Sequence, residues 1–348
     1  LQNARHFIFI EYFIIDKGEM WNAVLDVLIS KAREGVEVRL LYDGTNTMIR
    51  LPKNYPQKLR KYGIQCKVFS PMKPVITTHQ NNRDHRKIVV IDGHTSFTGG
   101  VNLADEYINR KNRFGVCKDT AVMIKGSATN NFTLRFLQMW NVDNTAGEDY
   151  GRYMYRGIEP DDSVTYGGYI APYGDSPLDN EEVGKKVYLD ILNRAADYVH
   201  IMTPYLILDE EMVNALIFAA QRGIDVKIIM PHIPDKKYAY FLAMTYFEEL
   251  ISEGVQIFEY MPGFVHAKNF TSDDNKAVVG TINLDFRSLF LHFECAAYIF
   301  DNRVIEEIEE DFQNTLKECE RITLKKCKEA GLIPKVCGKA LRLVAPLM

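Results

Sequence analysis

The sequence predicts an α/β protein made of two homologous α/β/α sandwich halves, related by a pseudo-twofold axis and sharing one site at their interface. Three observations predict it. The pattern His-x-Lys-x4-Asp occurs at His85, Lys87 and Asp92, and again 181 residues later at His266, Lys268 and Asp273. An asparagine follows each histidine by 17 positions: Asn102 after Thr98-Gly99-Gly100-Val101, and Asn283 after Val279-Gly280-Thr281-Ile282. A strand, helix, strand order is also met twice, with Ala32-Arg33-Glu34-Gly35-Val36-Glu37-Val38 answered by Ala220-Gln221-Arg222-Gly223-Ile224-Asp225-Val226. A chain of 348 residues suits two fused halves, expected at 1–150 and 165–348.

Taken in order, Phe7 to Ile15 is rich in aromatic and β-branched residues and reads as a buried strand. Trp21, Val24, Leu25, Leu28, Ile29 and Ala32 fall on one helical stripe that Gly35 stops, and Val36 to Tyr42 reads as the next strand. The second half repeats this with a strand at Tyr198 to Met202, a stripe of Met212, Val213, Leu216, Ile217 and Ala220, and a strand at Ile224 to Met230. Such alternation predicts parallel sheets covered by helices. Tyr62-Gly63-Ile64-Gln65 and Glu253-Gly254-Val255-Gln256 each precede a further short strand. A helix over Glu182 to Ala196 opens the second half, whereas Leu1 stands at the equivalent of that helix's end, so sequence carrying at least one helix is expected upstream of Leu1. Asp143 to Gly168, polar and glycine-rich, reads as a linker. The tail carries an acidic helix around Ile305, Ile308, Phe312 and Leu316, read as a solvated face, then a basic cluster from Arg321 to Lys328 and an ending Arg342-Leu343-Val344-Ala345-Pro346-Leu347-Met348.

Composition narrows the function classes. A formal net charge of −4 counts against a general nucleic-acid binder. Cys66, Cys117, Cys295, Cys319, Cys327 and Cys337 contain no Cys-x-x-Cys pair, so reduced thiols and a cytosolic setting are expected rather than zinc or redox chemistry. No run reaches the roughly 18 apolar residues of a membrane span, and no basic-then-apolar leader is present.

The doubled motif carries the chemistry. One match to His-x-Lys-x4-Asp is expected by chance in about 0.04 of chains of this composition; two matches in register inside a larger repeat are not accidental. Alternate residues of a strand share a face, so each copy delivers an imidazole and an ammonium to one place. Two imidazoles, two ammoniums and two asparagine amides make a donor-rich pocket for an oxyanion with equivalent oxygens, such as a phosphodiester. One histidine can attack phosphorus while the other protonates the leaving oxygen, which requires no metal or cofactor but opposite protonation states near neutral pH. Asp92 and Asp273 lie at an odd offset from the His/Lys pair and read as structural, tying down the following turn. Asp119 and Glu294 are the better candidates for orienting the histidines, because an acid within the apolar stretch Leu289 to Phe300 is costly unless paired.

At these residues the chain resembles the phospholipase D superfamily. The likeness spans essentially its whole length and is closest to the bacterial cardiolipin synthases, through Phe97-Thr98-Gly99-Gly100-Val101-Asn102-Leu103-Ala104-Asp105-Glu106-Tyr107, Gly174-Asp175-Ser176-Pro177, Thr203-Pro204-Tyr205, Asn283-Leu284-Asp285-Phe286-Arg287-Ser288 and the Pro346-Leu347-Met348 ending. The resemblance implies phosphatidyl transfer from one phosphatidylglycerol to another through a phosphohistidine, giving cardiolipin and glycerol. It implies His85 and His266 as nucleophile and acid/base, Lys87, Lys268, Asn102 and Asn283 as phosphate ligands, and Asp119 and Glu294 as orienting groups. It further implies a membrane hairpin ahead of Leu1, a catalytic body on the cytoplasmic side of the cell membrane, an anionic lipid surface as partner, and neither nucleic acid nor an obligate protein partner. Cys117-Lys118-Asp119, Thr281 and His292 depart from the family's frequent Trp-Arg-Asp, Ser and Asn. A hydrolase of the same superfamily, acting on phospholipid or, less in keeping with the charge, nucleic acid, is the alternative; a silent membrane-binding scaffold is a third reading that the intact polar set opposes.

Overall fold

The computed structural model describes residues 1–46, 50–71, 81–144, 147–157, 167–329 and 341–342. β1 (Phe7–Tyr12), α1 (Glu19–Arg33), β2 (Glu37–Asp43), α2 (Tyr55–Arg60) and β3 (Gln65–Phe69) are followed by β4 (Lys87–Ile91), β5 (Thr95–Gly99), β6 (Val116–Lys118), β7 (Ala121–Lys125) and α3 (Thr129–Trp140). After β8 (Tyr169–Asp175) and α4 (Val183–Arg194) the order recurs as β9 (Tyr198–Met202), α5 (Glu210–Gln221), β10 (Asp225–Pro231), α6 (Lys237–Ser252), β11 (Gln256–Tyr260), β12 (Gly263–Val265), β13 (Asn269–Ser272), β14 (Lys276–Gly280), α7 (Phe286–Phe290), β15 (Glu294–Phe300) and α8 (Val304–Leu316). β16 (Cys319–Arg321) and α9 (Leu324–Glu329) close the described chain before residues 341–342.

The first sheet has strand order β3-β2-β1-β4-β5-β7. The second repeats it as β11-β10-β9-β13-β14-β15, adding β16 at one edge and β8 at the other. Both sheets are mixed, which corrects the expectation of parallel sheets. β1, β2 and β3 pair in parallel through helical crossovers, but β4 enters antiparallel to β1, and β5 and β7 continue antiparallel. The cause is local, since three residues join β4 to β5 and β13 to β14, a length that allows only a hairpin.

Those hairpins explain the last residue of each motif. Asp92 and Asp273 adopt left-handed backbone, φ 52° and 53°, which a short polar side chain tolerates better than most. Their carboxylates reach back to the segments entering β1 and β9 rather than to the following turn. Asp92 accepts from the backbone N–H groups of Arg5, His6 and Phe7 at 2.7–2.9 Å, and Asp273 from those of Ala196, Asp197 and Tyr198 at 2.9–3.1 Å.

α1 and α2 cover one face of the first sheet, with Trp21, Leu28 and Leu59 buried against Ile8, Val38 and Leu40. α4, α5 and α6 cover the outer face of the second. Between the sheets lie α3 and α8, where Phe132, Phe136, Ile305 and Ile308 join Phe9, Ile88 and Val90 of the first sheet to Ala277, Val279, Ala297 and Ile299 of the second. Burying a Phe or Ile is worth roughly 1.5–3 kcal/mol, so this seam locks the halves into one body.

Two further expectations change. The glycine-rich stretch after Asp143 is not a free linker where it is described: Tyr153 is buried against Phe7 and Phe9, and Glu148 pairs with Arg39 at 2.7 Å. Residues 145–146 and 158–166 of that stretch, Cys337, and the ending from Leu343 to Met348 lie outside the described residues. The acidic helix α8 is not simply a solvated face, because Glu309 meets His200 Nδ1 at 2.7 Å and accepts from Thr271 at 2.5 Å, while Asp311 accepts from Lys118 at 2.6 Å. Thr271 of β13 thus finds its partner on α8.

Candidate active site

Each motif histidine stands just ahead of its strand rather than in it, before β4 and β13. The backbone that holds each one comes from the other half. Asp84 bridges to Phe293, with His85 donating its N–H to the Phe293 carbonyl at 3.0 Å. In the reciprocal place β12 pairs with β6, and His266 donates its N–H to the Lys118 carbonyl at 2.7 Å. The side chains cross in the same way. Glu294 Oε1 lies 2.8 Å from His85 Nδ1, and Asp119 Oδ2 lies 2.7 Å from His266 Nδ1. Glu294 stands two residues before Ala296, opposite Gly280, and Asp119 two before Ala121, opposite Gly99. The two carboxylates therefore occupy equivalent positions, each serving the other half's histidine. Gly100 makes room for this: a Cβ there would fall 2.1 Å from Asp119 Oδ1 and 2.7 Å from the His266 carbonyl oxygen.

Lys87 and Lys268 are each 1% exposed and donate Nζ to the carbonyl two residues back, that of His85 at 2.5 Å and that of His266. Burial lowers Lys87 to about 7 and Lys268 to about 8, against the pull of Glu294 and Asp119, and the Lys268 charge also presses on Lys87. Burial pushes His85 well below its ordinary value despite Glu294, and His266 down to about 4 with the help of Lys268. Glu294 and Asp119 are held low by their histidines although burial alone would raise them. Each pair is thus a neutral imidazole donating Nδ1–H to a carboxylate. Desolvation disfavours both imidazolium forms in the ligand-free site, so the opposite protonation states that the chemistry requires depend on the charge of a bound anion raising one of them.

The asparagines reach the same place differently. Asn102 accepts from the Ile14 N–H at 3.1 Å, and its Nδ2 is buried without a well-formed bond, beside the Tyr107 hydroxyl. Asn283 spends its Nδ2 on Asp285 at 3.1 Å, leaving Oδ1 buried and unpartnered among the described residues.

Residues 1–140 and 188–316 match the family described as cardiolipin synthase, PLD-like domain. The chain belongs to that family. A Streptococcus mutans protein described as uncharacterized is 53% identical over the whole chain and 75% of its own length. The cardiolipin synthase of Alkalihalophilus pseudofirmus is 37% identical over the whole chain and 69% of its own length, and cardiolipin synthase 2 of Bacillus anthracis 35% over the whole chain and 67% of its own. The fold is that of the solved Haemophilus influenzae phosphatidylserine synthase, with a TM-score of 0.75 at 15% identity over 100% of this chain and 91% of that one. The family frame fits the likeness that the doubled motif carries to the phospholipase D superfamily.

Within this family site, several contacts were not legible as function in the sequence. Thr281 donates its hydroxyl to Glu294 Oε2. Phe13 lies edge-on to His85 with ring centroids 4.8 Å apart, and Tyr107 lies edge-on to His266 at 5.0 Å. Behind His85, Arg86 sits 2.6 Å from Glu11 and 3.1 Å from Asp84, a buried ion cluster bracing the motif. His85, His292 and Glu294 bring one ligand atom each within 4.8 Å of one another, a span open to a metal ion; the Lys87 and Lys268 ammoniums beside them favour an anion instead. Among the described residues no helix is long and apolar enough to cross a membrane.

Proposed function

We propose that this chain is the catalytic body of a cardiolipin synthase that transfers a phosphatidyl group from one phosphatidylglycerol to the hydroxyl of another, giving cardiolipin and glycerol. The observation that carries the reading is the crossed pair of orienting carboxylates: Glu294 on His85 and Asp119 on His266 make two matched imidazoles out of two incomplete halves, here assigned to residues 1–150 and 165–348. Relatives named cardiolipin synthase at 34–37% identity over the whole chain support it.

In this reading a neutral His85 attacks phosphorus, and the bond to the departing glycerol oxygen breaks as His266, which takes up a second proton from solvent when the charge of the bound phosphate raises it, protonates that oxygen. The acceptor hydroxyl then gives its proton to His266 and displaces His85, so that the phosphorus–nitrogen bond breaks and the enzyme is restored. Lys87, Lys268 and Asn102 hold nonbridging oxygens. Asn283 joins them once its amide turns from Asp285. His85 is taken as the nucleophile, its carboxylate partner Glu294 being fully buried and braced by the Thr281 hydroxyl. The body works at the cytoplasmic face of the cell membrane. Of the basic residues from Arg321 to Lys328, Lys326 is drawn to Glu259 at 2.9 Å while Lys325 stays exposed toward an anionic surface.

Incubation with phosphatidylglycerol vesicles in the presence of chelator tests the reading. Cardiolipin and glycerol in equal amounts are expected. Phosphatidic acid as the sole product would replace the transferase with a hydrolase.

A further inference from the structure

His292 is a buried polar side chain that this reaction leaves unused. It is 8% exposed, and neither ring nitrogen makes a well-formed hydrogen bond among the described residues, Nδ1 having only a long contact to Glu294. An imidazole in that state is costly unless something outside the chain completes it. Its Nδ1 is 3.7 Å from Glu294 Oε1 and its ring centroid 5.4 Å from that of His85, so it stands beside the reacting pair. It also lines a cavity of about 180 Å³ with Asp175, Ser176, Glu182, Leu289 and Phe290.

The lining selects against phosphate. Asp175 accepts from the Gly184 N–H at 2.7 Å and the Ser176 N–H at 3.0 Å, fixing the start of α4, and burial raises its carboxyl to about 6. Glu182 is less committed: Lys185 is 3.3 Å away, but that lysine's shorter contacts go to Asp209 at 2.6 Å and Glu211 at 2.7 Å. Carboxylates beside this imidazole repel a phosphodiester and accept hydrogen bonds from neutral hydroxyls. Leu289 and Phe290 offer an apolar wall to a short carbon backbone. A carboxylate reading neighbouring hydroxyls is the device by which dinucleotide-binding folds hold a ribose.

We infer that this cavity is a polyol subsite, in which His292 and Glu182 engage the hydroxyls of the glycerol unit that leaves in the first transfer and of the glycerol unit that attacks in the second. The inference rests on the phosphatidyl-transfer reading. It makes the enzyme prefer glycerol to 1-propanol as acceptor, although both offer a primary hydroxyl to His266, because only glycerol has further hydroxyls to place.

The test is acceptor competition with the full chain, phosphatidylglycerol as donor, and either isotope-labelled glycerol or 1-propanol, comparing kcat/KM for the two acceptors. His292→Asn and Glu182→Gln are the variants, the second on a surface segment where folding is not at risk. Each is expected to lower the glycerol-to-propanol ratio, about tenfold or more for His292→Asn, a change of about 1.4 kcal/mol, and through the KM for glycerol. A ratio unchanged in both variants, or glycerol and propanol rates falling together, overturns the subsite while leaving phosphatidyl transfer in place. Transfer to neither alcohol by the unsubstituted chain overturns the reading and the subsite together.

Discussion

The two halves of the site hold the same groups in unequal surroundings. His85 meets a glutamate that is 0% exposed and also takes the Thr281 hydroxyl, with His292 beside it. His266 meets the shorter Asp119, which also accepts from the Thr120 N–H at 2.8 Å. Asn102 keeps a buried donor without a well-formed bond, whereas Asn283 has spent its donor on Asp285. Duplication supplied two equal imidazoles; divergence of their neighbours gave them different surroundings, while burial depresses both. In the phosphatidyl-transfer reading, that inequality of surroundings is what divides nucleophile from acid/base in a symmetric pair.

The largest effects break the symmetry outright. His85→Ala and His266→Ala are each expected to cut turnover by about 10⁴-fold or more. They should differ in the covalent step: with an activated leaving group that needs no protonation, His266→Ala still accumulates a phosphatidyl-histidine in the peptide containing residue 85, and His85→Ala does not, as read by mass spectrometry. The opposite pattern would exchange the roles. Next come the crossed carboxylates. Glu294→Gln is expected to lower kcat by about 10³–10⁴-fold and Asp119→Asn by about 10²-fold, with little change in KM. Equal losses would mean that the two pairs carry equal parts.

The lysines predict a pH dependence shared by both halves. With Lys87 lowered to about 7 and Lys268 to about 8, each is charged below its value and neutral above it. Affinity for the anionic donor should therefore be full near pH 6 and fall as pH rises through 7 to 8, seen as a rising KM. Bound phosphate raises both lysines, so kcat should fall at higher pH than kcat/KM does. A flat kcat/KM from pH 6 to 9 would remove the lysines from donor binding.

Smaller effects fall on stability. Asp92→Ala and Asp273→Ala each strip the partner from three backbone N–H groups and should each cost about 1–3 kcal/mol in chemical denaturation. Unequal costs would show that the halves are not mechanically equivalent. Glu309→Gln, which weakens the His200 and Thr271 contacts specific to the second sheet, is expected to cost about 1 kcal/mol without altering kcat.

Much of this was legible in the sequence because it is periodic or repeated. The apolar stripe around Trp21 and Leu28 gives α1, and the repeat around Gly35 and Gly223 gives the matching crossovers, since helix periodicity and C-terminal glycines are local physics. Antiparallel β4 and β5 were less legible, because an apolar run such as Ile88-Val89-Val90-Ile91 suits either pairing and only the short Asp92-Gly93-His94 turn decides it. His292 stood out only as an unusual residue; nothing local to it shows that its nitrogens lack well-formed bonds.

The sequence by itself determined which groups the site holds: two histidines, two lysines, two asparagines and two acids, their identity set by covalent order and their number by duplication. Tertiary structure alone decided how they are shared. The crossed pairings of Phe293 with Asp84 and of β12 with β6 bring each carboxylate to the other half's histidine, 209 residues from Glu294 to His85 and 147 from Asp119 to His266. Protonation was decided there too, because the cost of a buried charge depends on everything packed around it, and no stretch of sequence carries that sum.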